Sequence, residues 1–349
     1  MKLLQFFDPI DGQHVGVIEN DVVVDLTSVN SSISTVYDLY YNAGGDSNGL
    51  VDATKKIKGE HRNFRQLSLT ELLENRDPSR IHLTKPISGP DSNPHALKVW
   101  LAGVTHEVSA KLREIEAKQA TGSDVNVYDQ KYKEVSSGGR PELFSKGESD
   151  TVVGHGQAIT RPSDTVRLVP ETELVSIYGV NSAGQIDRLG FTGGNDVTDN
   201  GIEADNPLNL PQAKNWAGGC ASLGPLLVTT DEYDDADVTV SCEILRNGKR
   251  VGFKQGETGQ NNLNMPDSLL HLERYLFRRI MLEPRTLLSF FWGTPIVFSE
   301  VDMSDGLQVG DVMKLEFSGG IGTLENEVAA LPKTKQLEQL ESKNCDRFD

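Results

Sequence analysis

The chain has 349 residues, of which 37% are apolar and 24% are charged, and its formal net charge is −17. This size and composition predict a soluble globular protein with one large domain or two ordinary ones. The acidic balance argues against a nucleic-acid partner, because phosphate binding needs basic patches. No apolar run approaches the roughly 20 residues that span a bilayer. The N-terminal residues also turn polar too early for a secretory signal, so we predict no membrane partner and a cytoplasmic location.

The first part of the chain is predicted to form a small α+β domain. Strand-forming residues at 3–7, 15–19 and 22–26 predict three strands. A short helix is predicted at Val36–Tyr41. A second helix is predicted to begin at Ser68, which has a glutamate three residues later in the spacing of a capping box.

A proline- and glycine-rich stretch at 86–94 is typical of a linker, so we place a domain boundary at residue 95. Residues 1–95 then form the N-terminal domain and residues 96–332 the main domain. The polar stretch 333–349 is predicted to be a tail, either a frayed helix or disordered.

Within the main domain, residues 97–101 have the apolar character of a buried strand, and apolar spacings of four and three predict a helix over 106–119. Residues 120–139 are polar and rich in glycine and serine, which predicts a long loop that is either a lid or disordered. Short strands are expected over most of 166–330. One amphipathic helix is predicted over 266–280, opened by a proline.

The most informative local pattern is a pair of glutamates one residue apart, Glu171 and Glu173. In a strand, residues i and i+2 project to the same face, and an apolar partner strand would bring Asp196 to meet them. Three converging carboxylates are costly unless a cation is bound, and an all-oxygen site suits Mg²⁺, with Mn²⁺ or Ca²⁺ as substitutes. The alternative interpretation is an edge strand that shows charge to water.

An ordered set of short motifs resembles the fumarylacetoacetate hydrolase superfamily over about residues 97–330. The motifs keep their order and spacing, so the set is far more specific than any one of them. They are Arg140-Pro-Glu-Leu-Phe-Ser-Lys146, Val169-Pro-Glu-Thr-Glu-Leu174, Gly194-Asn-Asp-Val197, Asn206-Pro-Leu-Asn-Leu-Pro-Gln-Ala-Lys214, Gly219-Cys-Ala-Ser-Leu-Gly-Pro225, Gly256-Glu-Thr258, Gly293-Thr294 and Gly310-Asp311.

The resemblance implies an α+β fold. The main domain would be a mixed β-sandwich or roll like that of the fumarylacetoacetate hydrolases, preceded by a small α+β N-terminal domain. It also implies a homo-oligomer, a homodimer or a homotetramer, since family members are commonly dimers or larger.

Two of the motifs, at residues 140–146 and 206–214, are similar to the sugar-acid branch of that superfamily. Its members are lyases that dehydrate 2-keto-3-deoxy pentonates of the arabinonate or xylonate type to an oxo-acid semialdehyde through a metal-stabilised enolate. Hydrolytic members instead carry a histidine on the helix after the first strand, where this chain has Ser109. His106 is three residues away and would point elsewhere on a helix. The resemblance therefore favours the Mg²⁺-dependent dehydratases of sugar-acid metabolism over the hydrolases.

The resemblance also implies roles for individual residues. Glu171, Glu173 and Asp196 match the metal ligands of the family, and Glu142 and Lys214 match the acid and base of the dehydratase branch. We assign the C3 proton to Lys214 and the leaving hydroxyl to Glu142, although the reverse assignment is also open. The remaining matches fall in segments that line the substrate pocket of relatives, and they are Arg140, Lys146, Gln212 and Thr294.

The chain departs from the family pattern after the metal aspartate. Relatives usually carry Ser-Arg-Asp there, whereas this chain has Thr198-Asp199-Asn200-Gly201 and so lacks an arginine that could hold an anionic substrate. Two other functions therefore stay open. One is a hydrolase that cleaves a carbon–carbon bond of an acylpyruvate or diketo acid. The other is a non-catalytic protein that binds a keto acid with its metal.

Overall fold

The structure, a computed structural model, describes residues 1–107, 111 and 127–345. Strands occupy much of these residues, and most strands pair with their neighbours in antiparallel fashion. The strands are β1 (Lys2–Asp8), β2 (Gly12–Glu19), β3 (Val22–Asp25), β4 (Arg65–Ser68), β5 (His82–Leu83), β6 (Leu97–Gly103), β7 (Glu142–Ser145), β8 (Val152–Val153), β9 (Ile159–Arg161), β10 (Leu168–Val169), β11 (Thr172–Val180), β12 (Ile186–Asp196), β13 (Thr198–Asp199), β14 (Ala221–Thr229), β15 (Val238–Arg246), β16 (Lys249–Thr258), β17 (Leu287–Phe291), β18 (Val312–Phe317) and β19 (Gly322–Ala330).

The helices are mostly short and connect these strands. They are α1 (Val36–Tyr41), α2 (Gly45–Glu60), α3 (Leu69–Glu74), α4 (Val127–Ser136), α5 (Asn200–Asp205), α6 (Leu210–Lys214), α7 (Leu269–Phe277) and α8 (Lys335–Cys345), with 3₁₀ turns at Pro94–Ala96 and Pro207–Asn209. Within the described ranges, every helix is too short or too polar to cross a bilayer.

Two sheets pack face to face. The larger has the strand order β4-β3-β2-β1-β14-β12-β11-β17-β6-β7, and the smaller has the order β16-β15-β18-β19-β9. The core between them contains Leu174 and Phe191 from the larger sheet and Cys242 and Leu315 from the smaller, all buried. Parallel pairs such as β17 with β6 interrupt the antiparallel pattern. The predicted α+β fold with a mixed β-sandwich is therefore confirmed.

The long β11–β12 hairpin lies in the middle of the larger sheet and is buried along almost its whole length. Glycine is required in this hairpin for packing. A Cβ on Gly194 would clash with the Phe291 ring, and one on Gly193 would clash with Phe317. Side chains at the end of this hairpin are therefore held by a rigid, central part of the fold.

The N-terminal strands extend the same large sheet. In the antiparallel pair β1–β14, Lys2 lies opposite Val228 and Leu3 lies opposite Leu227. A second hydrophobic core, on the other face of this sheet, joins Leu39 and Leu50 from the N-terminal helices to Ile177 and Phe291. The division at residue 95 stays a prediction, and the two parts share one sheet and one core.

Several local predictions are confirmed. The three N-terminal strands and helix α1 lie where expected. Helix α3 begins after Ser68, whose hydroxyl accepts a hydrogen bond from the Glu71 backbone N–H at 3.3 Å. In α7, Leu269, Leu272 and Leu276 are buried, as the apolar spacing predicts.

The loop predicted over 120–139 is wrong for its second part, because residues 127–136 form helix α4. Ion pairs at helical spacing join Lys131 to Glu134 and Lys133 to Asp129, and Val135 is buried. These charges, which suggested a loop, in fact lie on the surface of a helix. Residues 120–126 and most of the helix predicted over 106–119 lie outside the described residues. Of the two interpretations of the tail, the helix is observed, as α8.

Candidate active site

Three carboxylates converge where the β11–β12 hairpin opens. Glu171 directly precedes β11, Glu173 is its second residue, and Asp196 ends β12. The Asp196 backbone N–H donates to the Glu171 carbonyl at 2.9 Å, which fixes the two chain segments side by side. Each residue offers a carboxylate oxygen, the three oxygens lie within 4.8 Å of one another, and all three residues are buried. We call Glu171, Glu173 and Asp196 the carboxylate cluster.

Two lysines neutralise part of this charge. The Lys214 Nζ donates to Glu171 Oε2 at 2.9 Å, to Asp196 Oδ2 at 2.5 Å and to the Thr198 hydroxyl at 2.7 Å. The Lys146 Nζ lies 2.6 Å from Asp196 Oδ1 and donates to the Val197 carbonyl at 2.7 Å. Asp196 is thus held between two ammonium groups.

The three acids respond differently to this environment. For Asp196, burial favours the neutral acid, but the charges of Lys146 and Lys214 outweigh burial and lower the pKa. For Glu173, burial and the charges of Asp196 and Glu171 raise the pKa well above its usual range. The Gly293 backbone N–H donates to Glu173 Oε2 at 2.7 Å, which favours the ionised form but does not overcome burial. Burial and the neighbouring carboxylates therefore disfavour the ionised form of Glu173, an effect that a further cation at the cluster would oppose.

This arrangement fits a hard divalent cation. Three buried carboxylates supply oxygen donors at one point, and a cation there would favour the ionised form of Glu173 that burial disfavours. Soft sulfur donors are absent from the cluster, which argues against zinc. Glu171, Glu173 and Asp196 would hold Mg²⁺, as the sequence predicts.

A narrow pocket, with a cavity volume of about 40 Å³, opens beside the carboxylate cluster. Its wall combines the cluster with Glu142 and Lys214 on the polar side and Phe144 and Leu210 on the apolar side. Among the lining residues that the structure describes, Lys214 is the single cation, and its Nζ lies 5.7 Å from the centre of the Phe144 ring. A small anion that bound a cation at the cluster would therefore lie against an acid and an amine.

Glu142 begins β7 and lies opposite Gly103 of β6. Burial raises its pKa to about 7, and the charge of Glu203 adds to the effect, while Lys214 opposes it. A carboxyl group with this pKa exchanges a proton readily near neutral pH, which is what general acid or base catalysis requires. Any side chain larger than glycine at 103 would collide with the Glu142 carboxylate.

The structure places the predicted residues in three groups. Six of them line the pocket, namely Glu142, Lys214, Glu171, Glu173, Asp196 and Thr294. Lys146 is fully buried behind Asp196 and contacts the cluster without lining the pocket. Arg140 and Gln212 are exposed and do not line it, so their contact with substrate stays a prediction.

The sequence analysis did not assign two residues of the site, Glu203 and Thr198. Glu203 lies on α5, is buried and lines the pocket. The Asp199 carboxylate caps α5 by accepting the Ile202 N–H at 3.3 Å, and it also accepts the Arg167 N–H at 3.0 Å. The available signal was their position between the metal aspartate and the motif that ends in Lys214, the segment where this chain departs from its relatives.

Arg167 packs, outside the pocket, against the segment that lacks the arginine expected from the resemblance. Arg167 is buried, and its guanidinium donates to the Met303 carbonyl at 3.1 Å and to the Phe298 carbonyl at 2.5 Å. Arg167 does not line the pocket, so it supplies no replacement there for the missing cation.

His106 has no place in the pocket either. Its ring nitrogens lie 2.9 Å from the Thr105 hydroxyl and 3.0 Å from the Thr258 hydroxyl, and burial lowers its pKa to about 4. It is thus a neutral, buried histidine that does not line the pocket. Ser109, which matches the histidine of the hydrolytic branch, lies outside the described residues.

A model of the fumarylacetoacetate hydrolase C-terminal domain matches residues 116–329. The chain belongs to the fumarylacetoacetate hydrolase family. Within this family it is 35% identical over 254 residues to the 2-dehydro-3-deoxy-D-arabinonate dehydratase of Saccharolobus solfataricus, a match that covers 72% of this chain and 76% of that protein. It is 33% identical over 251 residues to a probable 2-keto-3-deoxyxylonate dehydratase of Haloferax volcanii, with the same coverage.

A solved structure gives the same result for the fold. The 2-keto-3-deoxy-D-arabinonate dehydratase complexed with magnesium and 2,5-dioxopentanoate aligns with a TM-score of 0.66 and 26% identity. The alignment covers 95% of this chain and 100% of that one. The family and fold implied by the motifs are confirmed.

Proposed function

We propose that this family member is a Mg²⁺-dependent hydro-lyase that converts a 2-keto-3-deoxy pentonate to 2,5-dioxopentanoate. The observation that carries the proposal is the convergence of the carboxylate cluster, Glu142 and Lys214 on one pocket. The named activities of the two curated relatives agree with it, as do the magnesium and 2,5-dioxopentanoate of the solved dehydratase. Mn²⁺ or Ca²⁺ are possible substitutes, since they prefer the same oxygen donors.

The site must bind an anion although its lining is acidic. Mg²⁺ held by the carboxylate cluster would supply the missing positive charge and would polarise the keto group, which acidifies the protons on C3. Lys146, buried behind Asp196, keeps that carboxylate ionised and in place. The apolar wall at Phe144 and Leu210 limits the access of water to the reacting carbons.

Two proton transfers then remove water. A base takes a proton from C3, the C4–O bond breaks, and an acid protonates the departing hydroxyl. Transfer of a proton from C5 to C3 gives an enol, whose tautomer is the aldehyde of 2,5-dioxopentanoate. We assign the C3 proton to the Lys214 amine and the departing hydroxyl to Glu142, because a carboxyl group with a pKa of about 7 still carries a proton near neutral pH.

Further features of the working enzyme rest on the resemblance alone. We propose a homodimer or homotetramer that works in the cytoplasm. We also propose that Thr294, which lines the pocket, contacts the substrate. Arg140 and Gln212, each two residues before a catalytic candidate, would contact the substrate only after a change in their exposed side chains.

One assay separates the three functions considered. The purified protein is incubated with Mg²⁺ and a 2-keto-3-deoxy pentonate, and the 2,5-dioxopentanoate formed is measured, with an acylpyruvate in a parallel reaction. Formation of 2,5-dioxopentanoate supports the dehydratase, and cleavage of the acylpyruvate alone would replace it with the hydrolase. If either acid raises the melting temperature but neither is converted, the protein is a binding protein. A ligand of the folded state raises the melting temperature.

A further inference from the structure

Lys214 and a metal ion would compete for the same oxygens. The Lys214 ammonium donates to Glu171 Oε2 and Asp196 Oδ2, and both residues belong to the carboxylate cluster. We propose that Lys214 is the resident cation of the metal-free site and exchanges places with Mg²⁺, so that metal loading releases its amine into the substrate pocket. This inference rests on the proposed function for the identity of the metal.

The two lysines at the cluster are not equivalent. Lys146 has no exposed surface, its Nζ donates to the Val197 carbonyl, and its ammonium lies 5.2 Å from the centre of the Trp216 ring. It has no lining position in the pocket to move into. Lys214 does line the pocket, so it is the cation that can leave. Asp196 would therefore keep Lys146 as a permanent cationic partner and exchange Lys214 for the metal ion.

Electrostatics favours the exchange. The Lys214 ammonium donates to carboxylate oxygens that a metal ion would also bind. A divalent ion at the same oxygens would place like charges next to each other in a buried site, where they repel strongly. The Thr198 hydroxyl could still accept from the ammonium, but a hydroxyl carries no negative charge to hold it there.

The pocket offers the displaced ammonium a favourable position. The Phe144 ring is already 5.7 Å from Nζ, and aromatic rings attract ammonium groups at such distances. Glu142 lines the same pocket, and the charge of Lys214 already acts on it. The exchange thus moves the amine away from the metal ligands and towards the other catalytic candidate. Metal binding would thereby complete the acid and base pair.

The test measures Mg²⁺ binding by calorimetry in the absence of substrate. Lys214→Met keeps the aliphatic length but removes the competing charge, so its Mg²⁺ affinity is expected to rise by about tenfold relative to the wild type. Lys131→Met is the matched control, since Lys131 is on α4 and its charge also acts on Glu142, but it does not line the pocket. Equal or weaker affinity in Lys214→Met than in Lys131→Met would overturn the proposal.

A second measurement uses the wild-type protein and does not depend on how the variant folds. Reductive methylation followed by mass spectrometry reports how accessible each amine is. Saturating Mg²⁺ is expected to increase the labelling of Lys214 several-fold while Lys146 stays unlabelled. Labelling of Lys214 that is unchanged or reduced by Mg²⁺ would contradict the exchange. Both measurements omit substrate, so their results do not depend on turnover. Failure to dehydrate a 2-keto-3-deoxy pentonate would refute the proposed function and leave these two tests of the exchange valid.

Discussion

Two clusters among the described residues each bring three possible metal-ligand atoms together, and we expect them to behave differently. Besides the carboxylate cluster, Asp8, Asp11 and His14 also offer three ligand atoms within 4.8 Å of one another. We call these three residues the N-terminal cluster. Its charge is met by Arg65, whose Nη1 lies 2.8 Å from Asp8 Oδ2 and whose Nε lies 3.0 Å from Asp25 Oδ2. Spacing of ligand atoms alone therefore does not distinguish a metal site from a structural one.

The nature of the compensating cation makes the difference. The Arg65 guanidinium is planar and permanently charged, and it bridges two carboxylates from a strand at the edge of the sheet. His14 is also occupied, because its Nδ1 lies 3.1 Å from the Asp25 carboxylate. In the carboxylate cluster one of the neighbouring cations, Lys214, lines a pocket, and burial together with the neighbouring carboxylates raises the pKa of Glu173. The comparison predicts that the carboxylate cluster binds a metal ion and that the N-terminal cluster stabilises the fold.

The largest effect is expected for Glu173→Gln. Glutamine keeps the length and shape of the glutamate side chain and can still accept the Gly293 N–H, so the metal-free fold should keep its melting temperature. Mg²⁺ binding should be lost, and turnover should fall by more than about 10³-fold. Asp11→Asn, in the exposed position of the N-terminal cluster, is the matched control and should change neither quantity. Calorimetry with Mg²⁺ and a dehydration assay check both variants. Equal loss of Mg²⁺ binding in the two would erase the distinction between the clusters.

Lys214→Ala should lower turnover by about 10²-fold to 10⁴-fold, which is the usual contribution of an acid or base. Mg²⁺ binding should persist, because the carboxylate cluster stays complete. Turnover close to that of the wild type would remove Lys214 from the mechanism. Lys131→Met again serves as the control for a general loss of positive charge near the pocket.

The N-terminal cluster predicts a change in stability instead. Asp25 is fully buried and is the shared partner of His14 and Arg65. Asp25→Asn removes the carboxylate that faces His14 and one of the two carboxylates bridged by Arg65, so the free energy of unfolding should fall by about 2 kcal/mol. Chemical unfolding measures this loss. The Mg²⁺ dependence of turnover should be unchanged, and a shift in it would show that the two regions are coupled.

The sequence predicted the site where it depends on local geometry or on the motif set. The positions of Glu171 and Glu173 follow from strand periodicity, since an antiparallel hairpin makes i and i+2 neighbours. Asp196 was predicted from an apolar partner strand and from the resemblance, and Glu142 and Lys214 from the resemblance alone. Lys146 was expected to line the substrate pocket; it is buried against Asp196, and its contact with substrate stays a prediction.

The parts that were missed depend on packing between distant elements. Glu203 has no local signature, and it reaches the pocket because Asp199 caps α5 against the backbone of Arg167. The fold shows the same division. Helix α1 and the N-terminal strands were predictable, whereas α4 is rich in charged residues, and Val135 is the one buried residue among its described side chains. No local pattern shows that β1 pairs with β14, since the paired residues lie more than 200 positions apart in the sequence.

The smallest predicted effect concerns Glu203 and the pH dependence of turnover. The pKa of Glu142 is raised to about 7, first by burial and then by the charge of Glu203; Lys214 and Lys131 oppose the shift, and Glu171 adds a smaller increase. Glu203→Gln removes one negative charge and leaves burial unchanged, so the pKa of Glu142 should fall but stay above its usual range. If Glu142 donates its proton to the leaving hydroxyl, activity requires the protonated form and is lost as pH rises through this pKa.

The alkaline limb of kcat/KM in Glu203→Gln should therefore move to lower pH by roughly half a unit to one unit. Asp205→Asn removes the same charge from the exposed end of α5 and should leave the limb in place. A shift of the acidic limb instead would show that Glu142 acts as the base, which is the reverse assignment. An unchanged profile would mean that Glu203, although it lines the pocket, does not act on Glu142. Whether the alkaline or the acidic limb shifts thus decides which catalytic candidate carries the proton at the start of the reaction.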